Sequence, residues 1–164
     1  MVPLPETAPR TLGAAFAHIY TVEKPTIDDL KVMVLVEAAG QTLYAKTAEG
    51  TDHQGVRDLL NHNGREEMAH AHRVSKAIRA LSGEDFPPPT AENNPYLIGD
   101  IPSTPVTAAG LAKTAEAEFG GDALYARWAD AIGNEDAAAL FRLNGSEESD
   151  HGNRLLKAAA LLDA

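Results

Sequence analysis

The chain has no cysteine among its 164 residues. Disulfide bonds, thiolate metal sites, an iron–sulfur cluster held within the chain and a cysteine nucleophile are therefore excluded. Aromatic residues make up only 5% of the sequence. The apolar positions are mostly alanine and leucine, which favour helix over strand. We expect an all-α fold, and a chain of this length is expected to form one domain.

Positive charge is also scarce, with 14 Lys and Arg against 24 Asp and Glu and a formal net charge of −10. The basic residues form no stripe, which argues against a nucleic-acid partner. No apolar run approaches the roughly 20 residues of a membrane span, and the first residues lack a basic leader. These absences predict a cytoplasmic protein that has no membrane partner.

Apolar residues recur with the helical period in five stretches. Within an N-terminal extension, residues 1–25, a disordered start precedes a short amphipathic helix whose stripe is Leu12, Phe16, Ile19 and Tyr20. Four longer helices are predicted at about 26–49, 56–81, 111–132 and 140–162, with Thr26 as the N-terminal cap of the first. The segment 83–106 is too rich in proline for a helix and unusually long for a loop. It predicts a crossover between two pairs of helices.

The two halves of the chain repeat each other at a shift of 81 positions. The shift superimposes Glu37 on Glu118, Tyr44 on Tyr125, Asn63 on Asn144, Glu67 on Glu148 and His70 on His151. Two copies of a helix pair are too few for a solenoid, and they close on each other as a four-helix bundle. We expect residues 26–164 to form this bundle, with its helices in up-down-down-up order.

Each half carries a Glu in mid-helix and a Glu-x-x-His motif that begins 30 residues later, on the antiparallel partner helix. Residues at i and i+3 share a helix face, so four carboxylates and two imidazoles should converge. The predicted metal ligands are Glu37, Glu67, His70, Glu118, Glu148 and His151. This set suits iron or manganese. Bound cations would offset the cost of burying four carboxylates, although a metal-free core of salt bridges is an alternative.

Other repeated residues flank the predicted ligands. Tyr44 and Tyr125 are candidate catalytic residues that hydrogen-bond the ligands, or else ordinary core residues. Asn63 and Asn144 are open to the same two interpretations, as a ligand-supporting pair or as helix-crossing hydrogen bonds. Gly40, with its counterpart Gly121, either leaves room for a small substrate or permits close helix packing.

Some charged residues near the motifs are not predicted to bind metal. Glu66 and Glu147 adjoin the motif glutamates but are rotated by about 100° on the helix, which favours salt bridges. Four histidines have no counterpart in the other half and are predicted at the surface or at helix caps: His18, His53, His62 and His72.

This pattern resembles the ferritin-like di-iron carboxylate superfamily, and the duplicated helix pairs are most similar to the bundle domain of rubrerythrin, over about residues 26–163. The resemblance implies a di-iron centre that reacts with hydrogen peroxide or dioxygen, with the six residues as ligands and Tyr44 near the metals. Rubrerythrins usually append a Cys-rich, rubredoxin-like domain that delivers electrons, and this chain has none. A separate electron-donor protein is therefore expected, and bundles of this kind often form homodimers.

One further ligand of rubrerythrins has no match in this chain. The family carries an extra Glu about one turn beyond the helix-three ligand, and that place is Gly121 here, with Asp122 and Glu116 nearby. The leading hypothesis is an oxidoreductase that uses two metal ions, iron or manganese. Iron oxidation and storage by a ferritin-like assembly is one alternative. The other is a metal-free bundle that serves as a structural or interaction module.

Overall fold

The computed structural model describes residues 1–163. Its helices are α1 (Leu12–Thr21), α2 (Ile27–Glu49), α3 (Gln54–Ser82), α4 (Ala108–Ala131) and α5 (Glu135–Leu162). A single 3-10 turn, Ala91–Asn93, lies in the segment between α3 and α4, and residues 1–163 contain no strand. The predicted all-α class and the five predicted helices are therefore confirmed.

The helix ends follow local sequence signals. Thr26 and Asp29 cap α2 reciprocally, because the Asp29 N–H donates to Thr26 Oγ1 at 3.2 Å and the Thr26 N–H donates to Asp29 Oδ2 at 2.8 Å. Gly83 ends α3 with a φ of 77°, a left-handed conformation that glycine adopts without a Cβ clash. The predicted cap at Thr26 is thus confirmed.

The four long helices form a bundle of two antiparallel pairs. α2 packs against α3, α4 packs against α5, and α3 and α5 pack against each other. The segment after α3 returns along the bundle, since the Val106 N–H donates to the Gly50 carbonyl at 3.1 Å, just beyond the end of α2. α4 therefore starts at the same end as α3, which gives the order up, down, down, up.

The long segment between α3 and α4 covers one side of α2. The buried Asn94 donates from Nδ2 to the Leu35 carbonyl at 2.8 Å and accepts from the Tyr96 N–H at 3.0 Å. Every residue from 32 to 40 is buried, so the middle of α2 has no solvated face. The length of the segment is explained by this coverage as well as by the distance that it spans.

The prediction of a disordered start is wrong. The Met1 ammonium donates to Asn93 Oδ1 at 3.1 Å, and the Val2 N–H donates to the Asn93 carbonyl at 2.9 Å. Ala8 is buried, and the Tyr96 hydroxyl donates to the Pro9 carbonyl at 3.0 Å. The partners of this arm lie far away in the sequence, so no local pattern could indicate that it is ordered.

The apolar core of the bundle is divided into two clusters, one towards each end. One cluster includes Trp128, Phe141 and Ile78, and the other includes Leu60, Leu111 and Leu155. Between them lies a layer of buried polar side chains in the middle of the bundle. Among the described residues, no helix is both long enough and apolar enough to cross a membrane.

Candidate metal centre

The buried polar layer contains all six predicted ligands. They are Glu37 on α2, Glu67 and His70 on α3, Glu118 on α4, and Glu148 and His151 on α5. Both histidines are fully buried, and the side chain of Glu118, the least buried of the six, is 13% exposed. The structure thus brings together every residue that the spacing selected.

The ligand atoms form two overlapping groups of four residues, and a third group, His70, Glu148 and His151, joins them; within each group all atoms lie within 4.8 Å of one another. The first group is Glu37, Glu67, His70 and Glu148, and the second is Glu67, Glu118, Glu148 and His151. Glu67 and Glu148 belong to both groups. This buried cluster of carboxylates and imidazoles could hold metal ions.

Both histidine rings turn Nδ1 towards the carboxylates. His70 Nδ1 lies 3.1 Å from Glu148 Oε1, and His151 Nδ1 lies 3.3 Å from Glu67 Oε1. Neither Nδ1 atom has a hydrogen-bond partner with suitable geometry within residues 1–163, although both are buried. A buried polar atom without a partner is costly. Two such atoms that face one shared set of carboxylates fit a site in which a cation is the missing partner.

The opposite ring nitrogen of each histidine contacts a carboxylate of the other half. His70 Nε2 lies 3.0 Å from Glu147 Oε2, and His151 Nε2 lies 3.1 Å from Glu66 Oε2. A carboxylate that accepts from Nε2–H fixes the tautomer in which the Nδ1 lone pair is free for a metal. Glu66 and Glu147 therefore form salt bridges, as predicted, and they also orient the imidazoles.

Two arginines hold these carboxylates, and two asparagines accept hydrogen bonds from the arginines. Arg73 Nη1 donates to Glu147 at 2.6 Å and to Asn144 Oδ1 at 3.0 Å. In the other half Arg154 donates to Glu66, and its Nε donates to Asn63 Oδ1 at 2.6 Å. Both asparagines also cross the bundle, because each Nδ2 donates to the carbonyl of a ligand histidine at 3.3 Å. These hydrogen bonds lock α3 and α5 together behind the imidazoles.

The tyrosines cross the bundle between α2 and α4. The Tyr44 hydroxyl donates to Glu118, and the Tyr125 hydroxyl donates to Glu37. Burial, followed by the charge of the adjacent glutamate, raises the pKa of both hydroxyls, so each keeps its proton. The carboxylate oxygens of Glu37 and Glu118 are oriented by these donors.

Most contacts of the centre occur twice, related by the 81-residue shift. The contact of Tyr44 with Glu118 corresponds to that of Tyr125 with Glu37, and the contact of Arg73 with Glu147 corresponds to that of Arg154 with Glu66. The sequence repeat is therefore also a two-fold repeat of side-chain contacts. Arg73 and Arg154 were missed by sequence reasoning, although the same shift relates them and could have identified them.

The pKa values of the carboxylates in this cluster diverge. Burial raises the pKa of Glu148 to about 7, with the charge of Glu37 adding to the effect. Burial also raises the pKa of Glu67 well above its ordinary value. For Glu37, burial acts in the same direction, but His70 outweighs it and the pKa is lowered. Burial and mutual repulsion therefore oppose the ionisation of Glu67 and Glu148, and positive charge nearby favours it.

The imidazoles supply part of that positive charge. Burial lowers the pKa of His151, but Glu118, Glu148 and Glu67 beside it outweigh burial and raise the pKa to about 12. The pKa of His70 is raised in the same way, by Glu147, Glu148 and Glu37. Metal ions bind neutral imidazole. A cation that enters this cluster would therefore replace protons, which keeps the negative charge compensated.

A cavity of about 400 Å³ reaches the cluster from one side, between α2 and α4. The four ligand glutamates line its floor, and α1 lies over it through Phe16, Ile19 and Tyr20. On the opposite side, α3 and α5 are joined by the arginine and asparagine contacts. The cluster is thus approached from the α2 and α4 side.

Gly40 and Gly121 make room for the ligand side chains. A Cβ atom at Gly40 would lie 2.7 Å from Glu67 Oε2, and one at Gly121 would lie 3.3 Å from the Glu148 carboxyl carbon. Because neither glycine has a Cβ atom, Glu67 and Glu148, the two glutamates that belong to both groups of four, can enter the centre. Asp122, which follows Gly121 in the sequence, is directed away from the ligands, since it accepts from Ser149 Oγ at 2.5 Å.

We expect Gly40→Ala to weaken metal binding, because its Cβ would push Glu67 out of position. The loss should be about ten- to a hundredfold in affinity, as for other changes that displace a ligand. The metal-free protein should stay folded, since alanine favours helix over glycine by about 1 kcal/mol. Metal titration of the variant against Gly13→Ala, whose Cβ would meet nothing within 4 Å, checks this. Equal affinities in the two variants would contradict it.

The remaining histidines lie outside the centre, as predicted. His53 caps α3 by accepting from the Val56 N–H at 3.3 Å, and His18 lies 2.7 Å from Asp29. His62 pairs with Glu66 at 3.1 Å, and His72 is exposed. None of the four contributes to the groups of potential metal ligands found in residues 1–163.

The chain matches no protein-family model, no curated protein and no solved structure. The geometry of the cluster is therefore what indicates a function.

Proposed function

We propose that the chain is a di-metal carboxylate protein of the ferritin-like class, with iron as its metal, that reduces hydrogen peroxide or dioxygen. The observation that carries the proposal is the pair of buried Nδ1 atoms without hydrogen-bond partners, on His70 and His151. Each faces the carboxylates, while its ring is fixed from behind by Glu147 or Glu66. The helix order and the crossover support the ferritin-like arrangement.

The overlap of the two groups suggests how two ions would share the cluster. Glu37 with His70 would hold one ion, and Glu118 with His151 would hold the other. Glu67 and Glu148 belong to both groups and would bridge the ions. Four carboxylates balance the charge of two divalent cations, and an oxygen set with two imidazoles suits iron, with manganese as the next choice.

Bound iron would supply the electrons and the binding position for peroxide or dioxygen. The protein residues would keep the site dry and ordered: the Tyr44 and Tyr125 hydroxyls orient Glu118 and Glu37, and Arg73 with Arg154 hold the supporting carboxylates. Reduction of one hydrogen peroxide to two waters consumes two electrons and two protons. The 164 residues contain no cysteine and so no iron–sulfur group, and we infer that a separate electron-donor protein reduces the iron again after each turnover. We also propose that the protein forms a homodimer and is located in the cytoplasm.

The two alternatives fit the site less well. Iron storage requires a path for many cations, whereas the walls of the cavity above the cluster are mainly apolar side chains. In a metal-free structural bundle the Nδ1 atoms of His70 and His151 would face the glutamates as ion pairs without hydrogen-bond geometry, and the glutamates would stay crowded together.

Anaerobic loading with Fe(II), followed by rapid mixing with hydrogen peroxide or dioxygen, tests the reaction. We expect Fe(III)–carboxylate absorbance to appear much faster than in protein-free buffer. Peroxide should then be consumed repeatedly when a reductant is supplied. A metal-loaded protein that oxidises no faster than free Fe(II) with either oxidant would count against the reaction while leaving the metal site intact.

A further inference from the structure

The cavity above the cluster is much larger than peroxide or dioxygen requires. Its volume is about 400 Å³, whereas a molecule of two heavy atoms is comparable in size to one water, about 30 Å³ in the liquid. The volume falls within the range of about 300 to 1,000 Å³ that is typical of sites for organic ligands. It corresponds to roughly ten to fifteen water-sized groups.

The walls of this cavity are apolar. Met33, Val36 and Leu43 of α2 face Leu124 of α4, and Phe16 with Ile19 of α1 forms the roof. Above the carboxylates and tyrosines of the floor, the polar side chains are Tyr20, Thr47 and Thr114, which lie at the rim or towards one end. An apolar cavity gives water few partners and favours an apolar occupant.

α1, which forms the roof of the cavity, is the one helix without a counterpart in the internal repeat. A two-fold arrangement of helix pairs alone would leave the groove between α2 and α4 open. α1 covers it and is fastened to α4, because the Tyr20 hydroxyl donates to the Ala117 carbonyl at 2.9 Å. Trp128 Nε1 donates to the Val22 carbonyl at 2.9 Å, which holds the end of α1. The chain thus encloses a space that a di-metal centre for peroxide alone would not need.

We propose that this cavity binds an uncharged, apolar organic molecule of roughly ten to fifteen non-hydrogen atoms, with one end at the carboxylate floor. As a ligand of the metal centre, this molecule rests on the proposed function. Binding to the cavity itself does not require metal. An anion would be repelled by the four glutamates, and the apolar walls offer an anionic headgroup no partner.

The mouth of the cavity lies between α1 and the exposed side of α4. Thr114 and Ala117 of α4 line the cavity and are exposed, as are Phe16 and Tyr20 of α1, whereas Ile19 is fully buried. Leu43, on the α2 wall, is less exposed than Thr114. A large side chain at Leu43 should therefore fill the interior, and one at Thr114 should close the mouth.

Titration with 1-aminoanthracene, a neutral fluorophore that brightens in apolar surroundings, tests the proposal on the full chain. The metal-free protein and the Zn(II)-loaded protein are both titrated. We expect saturable binding at one site per chain, and displacement by 1-decanol at concentrations about tenfold or more below those needed for decanoate.

Two substitutions with matched controls locate the site. Leu43→Trp and Thr114→Trp should each weaken probe binding about tenfold or more, whereas Ala45→Trp and Lys113→Trp, at exposed neighbouring positions, should not. Having two independent variants keeps the test decisive if one of them fails to fold. Unchanged binding in both cavity variants, or displacement by decanoate equal to that by 1-decanol, would overturn the proposal.

Metal analysis of the same samples separates this proposal from the proposed function. Probe binding that responds to the cavity variants in a protein that takes up no metal would support the pocket and reject the metal centre. Metal uptake without any saturable probe binding would overturn the pocket and leave the metal centre standing.

Discussion

Replacing Glu67 and Glu148 together by glutamine should abolish metal binding by this protein. The wild-type chain, reconstituted and freed of excess metal, is expected to retain about two ions, and the double variant none. Both carboxylates belong to both ligand groups, so each ion would lose two charged ligands at once. Elemental analysis per chain measures the outcome.

The same variant separates loss of metal from loss of fold. Burial together with neighbouring negative charge raises the pKa of Glu148 to about 7, so the neutral amides relieve repulsion in the metal-free protein. We expect the metal-free variant to unfold at a temperature equal to or above that of metal-free wild type. Added metal should then raise the unfolding temperature of the wild type only, since binding stabilises the state that binds.

A matched control changes two exposed carboxylates on α4 and α5, in the double variant Glu116→Gln, Asp150→Asn. It should retain the full metal content. Metal retained equally by the control and by the Glu67→Gln, Glu148→Gln variant would show that ions bind elsewhere. Wild-type protein that takes up no iron, manganese or zinc would leave the metal-free alternative in place.

Glu147→Ala should weaken both the fold and the metal site, although Glu147 is not among the predicted ligands. Its removal leaves the buried His70 Nε2 without an acceptor and Arg73 without its carboxylate. We expect the free energy of unfolding to fall by about 2 kcal/mol, the usual cost of an unsatisfied buried donor. Metal affinity should fall about ten- to a hundredfold, because the imidazole is no longer oriented.

The internal repeat provides a strong check on this result. Glu66→Ala removes the equivalent contacts to His151 and Arg154 and should cause losses of similar size. Glu147→Gln keeps a hydrogen-bond acceptor and should fall between wild type and Glu147→Ala. Chemical denaturation and metal titration measure the two effects, with exposed Glu116→Ala as the control. A Glu147→Ala variant with unchanged metal affinity would show that Glu147 does not orient the imidazole.

Local patterns in the sequence determined the helices and the residues of the candidate centre. The helical period places Glu67 and His70 on one face, and the antiparallel turn brings Glu37 to the same height. The 81-residue repeat then supplies the second set. These inferences succeed because they depend only on helix geometry and on the closure of two like helix pairs. The metal itself stays a prediction.

Tertiary structure alone decided which groups support the centre and what covers it. Glu66 and Glu147 point away from their own ligand glutamates, and they reach the imidazoles only because α3 and α5 lie side by side. The N-terminal arm is ordered by partners far away in the sequence, which a local pattern cannot show. The cavity exists because α1, which has no counterpart in the repeat, packs over the groove between α2 and α4. These contacts join residues that lie far apart in the sequence, and the periodicity of a single sequence indicates only which residues share a face of one helix.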